Sequence, residues 1–478
     1  MTLVAGADCS TQATKVVVVD EDSGALVATG QAPHDVTGSD GARETDPRVW
    51  RDALAAALAA TGRAGEVGAI AVAGQQHGLV VSDSEGEPLR PALLWNDTRS
   101  APQAAALVAA AGGPTWWASE IGVVPVASIT VSKWAWLRAR EPDVARAAAG
   151  VCLPHDWLTG QLTGTASTDR GDASGTGWWS AHEEAYRADV LALADVALDP
   201  QLLPPVRGHA DAAGAVTARA AGTFGLPEGI PVGVGTGDNM GAALGLGVDP
   251  GVPVLSLGTS GTVYLASERP AADASGVVAG FADATGRYLP LACTLNCTVA
   301  VDRVAAWFGL DRDDVAEATD VVVLPYLDGE RTPNLPRATG LITGLDHGTT
   351  PREILLAAYE GAVAALMTAL DALAAHSSGL QPDAPLVVVG GGARGRTWRR
   401  VAARLSGRRL LLPEPQEFVA LGAAAQAAAA RSGEDPLAVA RRWGHGQGEE
   451  HAADERDDAT LARIDRVLEA GQALLDPS

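Results

Sequence analysis

The opening run Leu3-Val4-Ala5-Gly6-Ala7-Asp8-Cys9-Ser10-Thr11-Gln12-Ala13-Thr14-Lys15-Val16-Val17-Val18-Val19-Asp20 holds two apolar stretches of strand length around a small, hydroxyl-rich turn. After Asp22-Ser23-Gly24 a third strand is expected over Ala25 to Gln31, which makes a β-meander. The same arrangement returns at Val254-Leu255-Ser256-Leu257, Gly258-Thr259-Ser260-Gly261 and Thr262-Val263-Tyr264-Leu265-Ala266. One strand–turn–strand unit used twice predicts two related α/β domains. The boundary is expected near residues 245 to 252, giving an N-terminal domain over 1–246 and a C-terminal domain over 247–478.

Between and beyond these hairpins the pattern alternates. Trp50 to Ala60, Ala101 to Ala111, Lys133 to Arg140, Met240 to Leu246, Pro351 to His376 and Ala459 to Leu475 read as helices. Val67 to Ala73, Leu386 to Val389 and Leu410 to Leu412 read as short buried strands.

A chain of 478 residues is too long for one hydrophobic core, and 47% apolar with 19% charged residues is a globular composition. The formal charge of −23 opposes binding to nucleic acid or to an anionic membrane surface. The basic stretch Arg394 to Arg409 reads as one helix face plus a turn. The first residues lack a basic segment and Asp8 interrupts their apolar run, so no signal peptide is expected. Nor does a long uncharged apolar stretch suggest a membrane span. Cys9, Cys152, Cys293 and Cys297 form no C-x-x-C pair. Cys293 and Cys297 have the spacing of helix neighbours, but no histidine pair accompanies them. Reduced thiols in a cytoplasmic protein are the expectation.

Several segments carry chemistry. In the first turn, successive backbone N–H groups form a concavity suited to phosphate oxygens, with Ser10, Thr11 and Lys15 as further donors. Asp8, at a buried strand end, is placed to hold Mg²⁺. An ordinary hairpin with a polar turn reads the same way. The second turn, with Gly258 and Thr259, repeats the feature, and two such turns can clamp a triphosphate from both sides. Gly233-Val234-Gly235-Thr236-Gly237-Asp238-Asn239 puts a carboxylate between a glycine-rich strand end and a helix, where it can accept a hydroxyl proton or simply cap the helix. In Gly74-Gln75-Gln76-His77-Gly78 the amide and imidazole suit sugar hydroxyls, although a lone histidine is also a common structural residue. Asp97 in Trp95-Asn96-Asp97-Thr98-Arg99 can pair with Arg99. Gly390-Gly391-Gly392-Ala393-Arg394-Gly395 fits G-x-G-x-x-G, with Glu414 about 20 residues further on as a dinucleotide site requires. It lies late in the chain, and equally serves as a loop whose glycines admit adenosine to the backbone. No Walker-type phosphate loop, H-R-D, H-E-x-x-H or G-x-S-x-G motif is present.

Taken in order, these segments resemble the FGGY family of carbohydrate kinases over nearly the whole chain. The resemblance runs through Asp8 to Lys15, Gly74 to Gly78, Leu94 to Arg99, Ser128 to Leu137, Asp172 to Thr176, Gly237-Asp238-Asn239, Gly340 to Glu360 and Gly390 to Arg394. It implies two actin-like, ribonuclease-H-like domains with an interdomain catalytic cleft, and transfer of phosphate from ATP, with Mg²⁺, to a small sugar. The sugar-side segments are most similar to those of members acting on D-xylulose, with another ketose, a polyol or a sugar acid as alternatives. A dehydrogenase using Gly390 to Gly395 is the distant rival. Carried over by the resemblance, Asp238 is the general base, Gln76, His77 and Asn239 bind the sugar, and Asp8 supports the metal. Ser10, Thr11, Lys15, Gly258, Thr259, Gly391, Gly392 and Ala393 bind ATP. The partners implied are a small sugar, no nucleic acid and no membrane, and the assembly admitted is a homodimer.

Overall fold

The strand Leu3–Cys9 is buried on both faces throughout its length. It pairs antiparallel with Ala13–Asp20, from Leu3 opposite Asp20 to Cys9 opposite Thr14, and that strand pairs antiparallel with Leu26–Pro33. Its other edge pairs in parallel with Val67–Gly74, which in turn is parallel to Pro231–Gly233 and Thr236–Gly237. A parallel strand covered on both faces has no solvent side, which is why Val67 to Gly74 shows no polar alternation. The helix Pro47–Ala60, capped by Asp46, packs on the outer meander strands.

The second half repeats this order. Pro253–Leu257 pairs antiparallel with Gly261–Leu265, which pairs with Tyr288–Thr294, and in parallel with Leu386–Val389 on the other edge. Leu410–Pro413 then extends the sheet in parallel. In both halves a meander lies to one side of the first strand and parallel strands to the other. The computed structural model describes residues 2–475.

The expected elements are present with small shifts at their ends, the third strand running over Leu26–Pro33. Two local readings change. Cys293 lies in the strand Tyr288–Thr294, while Cys297 precedes the helix Thr298–Phe308, so the two are not helix neighbours. All four cysteines are free. The glycine run after Val389 follows the fifth strand, in chain order, of a mixed sheet whose second strand is antiparallel. A dinucleotide fold instead places its glycine fingerprint after the first strand of a parallel sheet. The helix Pro351–His376 is long and apolar enough to cross a membrane, but 83% of its most apolar window is buried inside the protein. Its Thr350–Glu353 capping box and interior place it as a core helix.

The halves are joined by an unusually close helix crossing. The helix Phe418–Ser432, from the second half of the chain, packs on Leu3–Cys9, on Val67–Gly74 and on the helix Asp238–Leu246. Contact is backbone to backbone. A methyl group on Gly422 would collide with the carbonyl of Gly241, one on Gly245 with the carbonyl of Phe418, and one on Gly6 with the carbonyl of Ala420. Gln426 of the same helix donates from Nε2 to the Gly235 carbonyl at 3.1 Å. Because backbone cannot rotate away as a side chain can, Gly422→Ala is expected to cost about 1–3 kcal/mol of stability, the usual scale of overpacking. A thermal melt of the purified variant checks this. An unchanged midpoint would mean that the helices separate without cost.

Candidate active site

Three parallel strands of the first half end side by side. Asp8 is opposite Ala73, Cys9 opposite Gly74, and Gly237 opposite the same Gly74. The carboxyl ends of parallel strands are where open α/β sheets bind ligands. Asp8, the segment Gln75-Gln76-His77 and Asp238 therefore meet at one edge. Asp238 is the first residue of its helix, with Gly237 as the cap, so it does not occupy the N-cap position. It is half-buried. Its Oδ1 accepts from the Asn239 backbone at 2.8 Å and from Asn239 Nδ2 at 2.9 Å. The same Nδ2 donates to Gln76 Oε1 at 2.9 Å, so Asn239 links the carboxylate to the Gln76 amide. Burial raises the Asp238 pKa to about 6, against the opposing pull of the Asn239 hydrogen bonds.

Asp8 is buried, and its Oδ1 has no hydrogen-bond partner. Burial, with the nearby Asp238 charge, raises its pKa to about 7, while Lys15 pulls the other way. A buried carboxylate oxygen without a partner fits a cation. Among the described residues no group of three acidic, histidine or cysteine side chains could hold a metal alone. That suits Mg²⁺, which takes one or two carboxylates and completes its shell with phosphates and water.

His77 stands in the left-handed backbone region at φ 64°. Its Nδ1 lies 3.0 Å from the Gly175 carbonyl, and its ring lies beside Phe281 at 5.4 Å between centroids. Burial, Lys133 and Arg331 depress its pKa to about 3. The ring is therefore neutral. Since a carbonyl only accepts, Nδ1 carries the proton and Nε2 is left as an acceptor. Lys133 is buried and donates to the Ser128 carbonyl; burial brings its pKa down to about 7. Arg331 reaches Ser128 Oγ at 3.5 Å from the second half of the chain. Asp97 pairs with Arg99 and accepts the Arg43 and Arg99 backbone N–H groups, so it is a structural residue. Trp95 donates from Nε1 to Thr11 Oγ1 at 3.1 Å, which leaves the Thr11 hydroxyl proton free to point elsewhere. Ser10 Oγ is 3.0 Å from the Ala13 carbonyl, so its proton closes the turn.

In the second half, Gly258 and Thr259 follow one strand and the glycine loop follows its parallel neighbour, with Ser256 opposite Val389. Gly390, at φ 88°, has the Leu257 carbonyl where a side chain would go. Thr259 and Gly391 are exposed, Gly258 and Ala393 half-buried, and Gly392 buried. A cavity of about 400 Å³ is lined from both halves by Lys15, Gly390, Gly391, Ala393 and Glu417, among others. Ser10, Thr11, Gly258 and Thr259 do not line it. Lys15 Nζ is paired with Glu417 Oε2 at 2.7 Å, a partner 402 positions away that no sequence pattern indicates. His155, Asp169 and Thr236, which meet beside Gly74 and Gly235, carry no signal in the sequence, because three separate segments bring them together.

Residues 3–245 match the N-terminal domain, and residues 254–431 the C-terminal domain, of the FGGY family of carbohydrate kinases. The chain is 57% identical to the xylulose kinase of Streptomyces coelicolor over 99% of its own length and 97% of that protein. Against the xylulose kinase of Streptomyces rubiginosus it is 56% identical, with the same coverage. The crystal structure of xylulose kinase from Bifidobacterium adolescentis superposes with a TM-score of 0.84 at 36% identity, covering 98% of this chain and 99% of that one.

An ionised Asp8 is a cost to the folded protein. Its folded pKa of about 7 lies above the ordinary 3.8, so the cost is absent below about pH 4, grows between these values and is complete above about pH 7. Asp8→Asn is therefore expected to raise the thermal midpoint of the ligand-free protein at pH 8, with the gain fading by pH 4.5. Melting curves at the two pH values check it; a gain that did not depend on pH would contradict the assignment.

Proposed function

Because the chain belongs to the FGGY family of carbohydrate kinases, and so is a sugar-phosphorylating enzyme that uses ATP, we propose that its substrate is D-xylulose and its product D-xylulose 5-phosphate. The observation that carries the mechanism is the half-buried Asp238, tied through Asn239 to Gln76 at the strand edge that Asp8 shares. Two relatives named as xylulose kinases, at 57% and 56% identity over nearly full length, support the choice of sugar.

In this reading Gln76, His77 and Asn239 hold the sugar. The neutral His77 offers Nε2 as an acceptor to a sugar hydroxyl. Asp238 takes the proton of the attacking hydroxyl; the new O–P bond forms to the γ-phosphorus as the bond to the β–γ bridging oxygen breaks, and ADP leaves with that electron pair. Thr11 and Thr259 present turn N–H groups and hydroxyls to the phosphates, Ser10 and Gly258 shape the two turns through their bonds to the Ala13 and Ser260 carbonyls, and Lys15 reaches the phosphates on leaving Glu417. Gly391, Gly392 and Ala393 allow the nucleoside to approach the backbone. Mg²⁺, when bound by Asp8 together with phosphate oxygens, supplies neutralisation of the phosphate charge. A division of the chain between residues 246 and 247 and a cytoplasmic location complete the proposal.

A panel of pentuloses, polyols and sugar acids in a coupled ADP-release assay tests the substrate. D-xylulose is expected to give the highest kcat/KM, and a higher value for a polyol would reassign the enzyme. For the base, Asp238→Asn is expected to lower kcat by about 10²–10⁴-fold while sugar affinity is kept. In the unaltered enzyme kcat/KM for the sugar should fall as pH drops through about 6, because the protonated carboxyl cannot accept. Turnover near normal in the variant, or no acidic limb, would remove Asp238 from the role.

A further inference from the structure

Behind the Asp238 strand lies a buried group of side chains that substrate binding does not use. His155 is the second residue of the helix Pro154–Thr163 and is fully buried. Its Nε2 is 3.2 Å from Asp156 Oδ1, 3.3 Å from Asp169 Oδ1 and 3.3 Å from Asp172 Oδ2, and all three carboxylates are buried. Two of these have other duties. Asp156 accepts the Leu153 backbone N–H through Oδ2, and Asp169 accepts those of Gly171 and Asp172. Neither Asp172 oxygen and neither His155 ring nitrogen makes a hydrogen bond, so the ring meets the carboxylates as an ion pair.

This group touches the catalytic segment directly. Thr236 Oγ1 donates to Asp169 Oδ2 at 2.8 Å. A methyl group placed on Gly235 would lie 3.0 Å from His155 Nδ1, and one on Gly74 would lie 3.2 Å from His155 Cβ. His155 thus packs against Gly74, two residues before Gln76, with its backbone and Cβ, and against Gly235, three before Asp238, with its imidazole. We propose that His155, through Asp169 and Thr236, is a positioning residue that fixes the Gly235–Asp238 turn for phosphoryl transfer. This rests on Asp238 as the base.

Electrostatics support the same role. The three carboxylates together outweigh burial and raise the His155 pKa to about 9, so the ring carries a charge. Burial and its anionic neighbours, Asp238 among them, raise the Asp172 pKa well above the ordinary carboxylate value, and the His155 cation pulls it back. Asp238 also faces Asp8 from the first strand and Tyr264 from the second half, with Lys15 and Glu417 behind Asp8. Loss of the His155 cation removes positive charge from a network that Asp172 couples to Asp238. The proton affinity of Asp238 then rises.

The test compares His155→Gln, Thr236→Val and Thr236→Ser with the parent and with Asp238→Asn. His155→Gln is expected to lower kcat by about 10- to 100-fold, the scale of a small misplacement of a reacting group, with KM for ATP unchanged. Its acidic limb should move up by about half a pH unit or more, as for a carboxylate losing a nearby cation. Thr236→Val, which keeps shape and removes only the link to Asp169, should lower kcat in the same direction, and Thr236→Ser should restore it. The double variant His155→Gln, Thr236→Val should lose little beyond the larger single loss. Should His155→Gln not fold, the Thr236 pair decides. If Thr236→Val keeps kcat within about twofold of the parent while Asp238→Asn is inactive, the positioning role fails and the base stands. If Asp238→Asn itself turns over normally, the base assignment fails instead. An unshifted limb in a folded His155→Gln, or strictly additive losses, also overturns the proposal.

Discussion

The close crossing of the helices Asp238–Leu246 and Phe418–Ser432 is the constraint on which the site depends. Gly241, Gly245 and Gly422 let the backbones approach where any side chain would collide. One of these helices begins at Asp238; the other belongs to the second half of the chain yet covers the first sheet. The carboxylate is therefore registered at once against the strand ends of the first half and the main chain of the second. Such contact fixes position through hard atoms that have no rotamers to exchange.

That position sets an electrostatic contest. A helix N-terminus favours a carboxylate by about 0.3–1 kcal/mol. Burial disfavours it, and burial wins, with Asp238 raised to about 6 and Asp8 to about 7. Both groups remain usable near neutral pH because Asn239 and Lys15 supply partial compensation. For the basic groups at the same edge burial acts in the other direction: His77 is neutral and Lys133 is brought down to about 7. Two carboxylates raised at one strand edge favour a cation and hydrogen-bond donors beside them.

The two sheets divide the work. In the first, the strand ends carry side chains that reach into the edge: Asp8, Gln76, His77 and Asp238. In the second, they carry turns of small residues, Gly258 to Gly261 and Gly390 to Gly392, that bring backbone to the corresponding edge. Contacts such as Ser174 Oγ accepting from the Ala282 backbone at 2.9 Å, and the Gly280 backbone donating to the Gly122 carbonyl at 2.8 Å, dock the halves beside His77, whose ring lies against Phe281.

How much of this could be read from residue order follows from the range of each interaction. Apolar runs of strand length, polar turns and a repeated hairpin are local patterns, so the two α/β halves, the strand ends at Asp8 and Gly74, and a helix next to Asp238, expected from Met240, were legible in the chain. Asp97 with Arg99 was legible for the same reason, being two residues apart. The ion pair of Lys15 with Glu417 spans 402 positions, and Trp95 to Thr11 spans 84. The His155 group gathers carboxylates from two different turns, and Cys293 and Cys297, four apart in sequence, are parted by a strand end. Local sequence determines which element forms and what lies at its tip. Which tips face one another is decided only when the elements pack, because burial and close contact act between surfaces that the order of residues does not bring together.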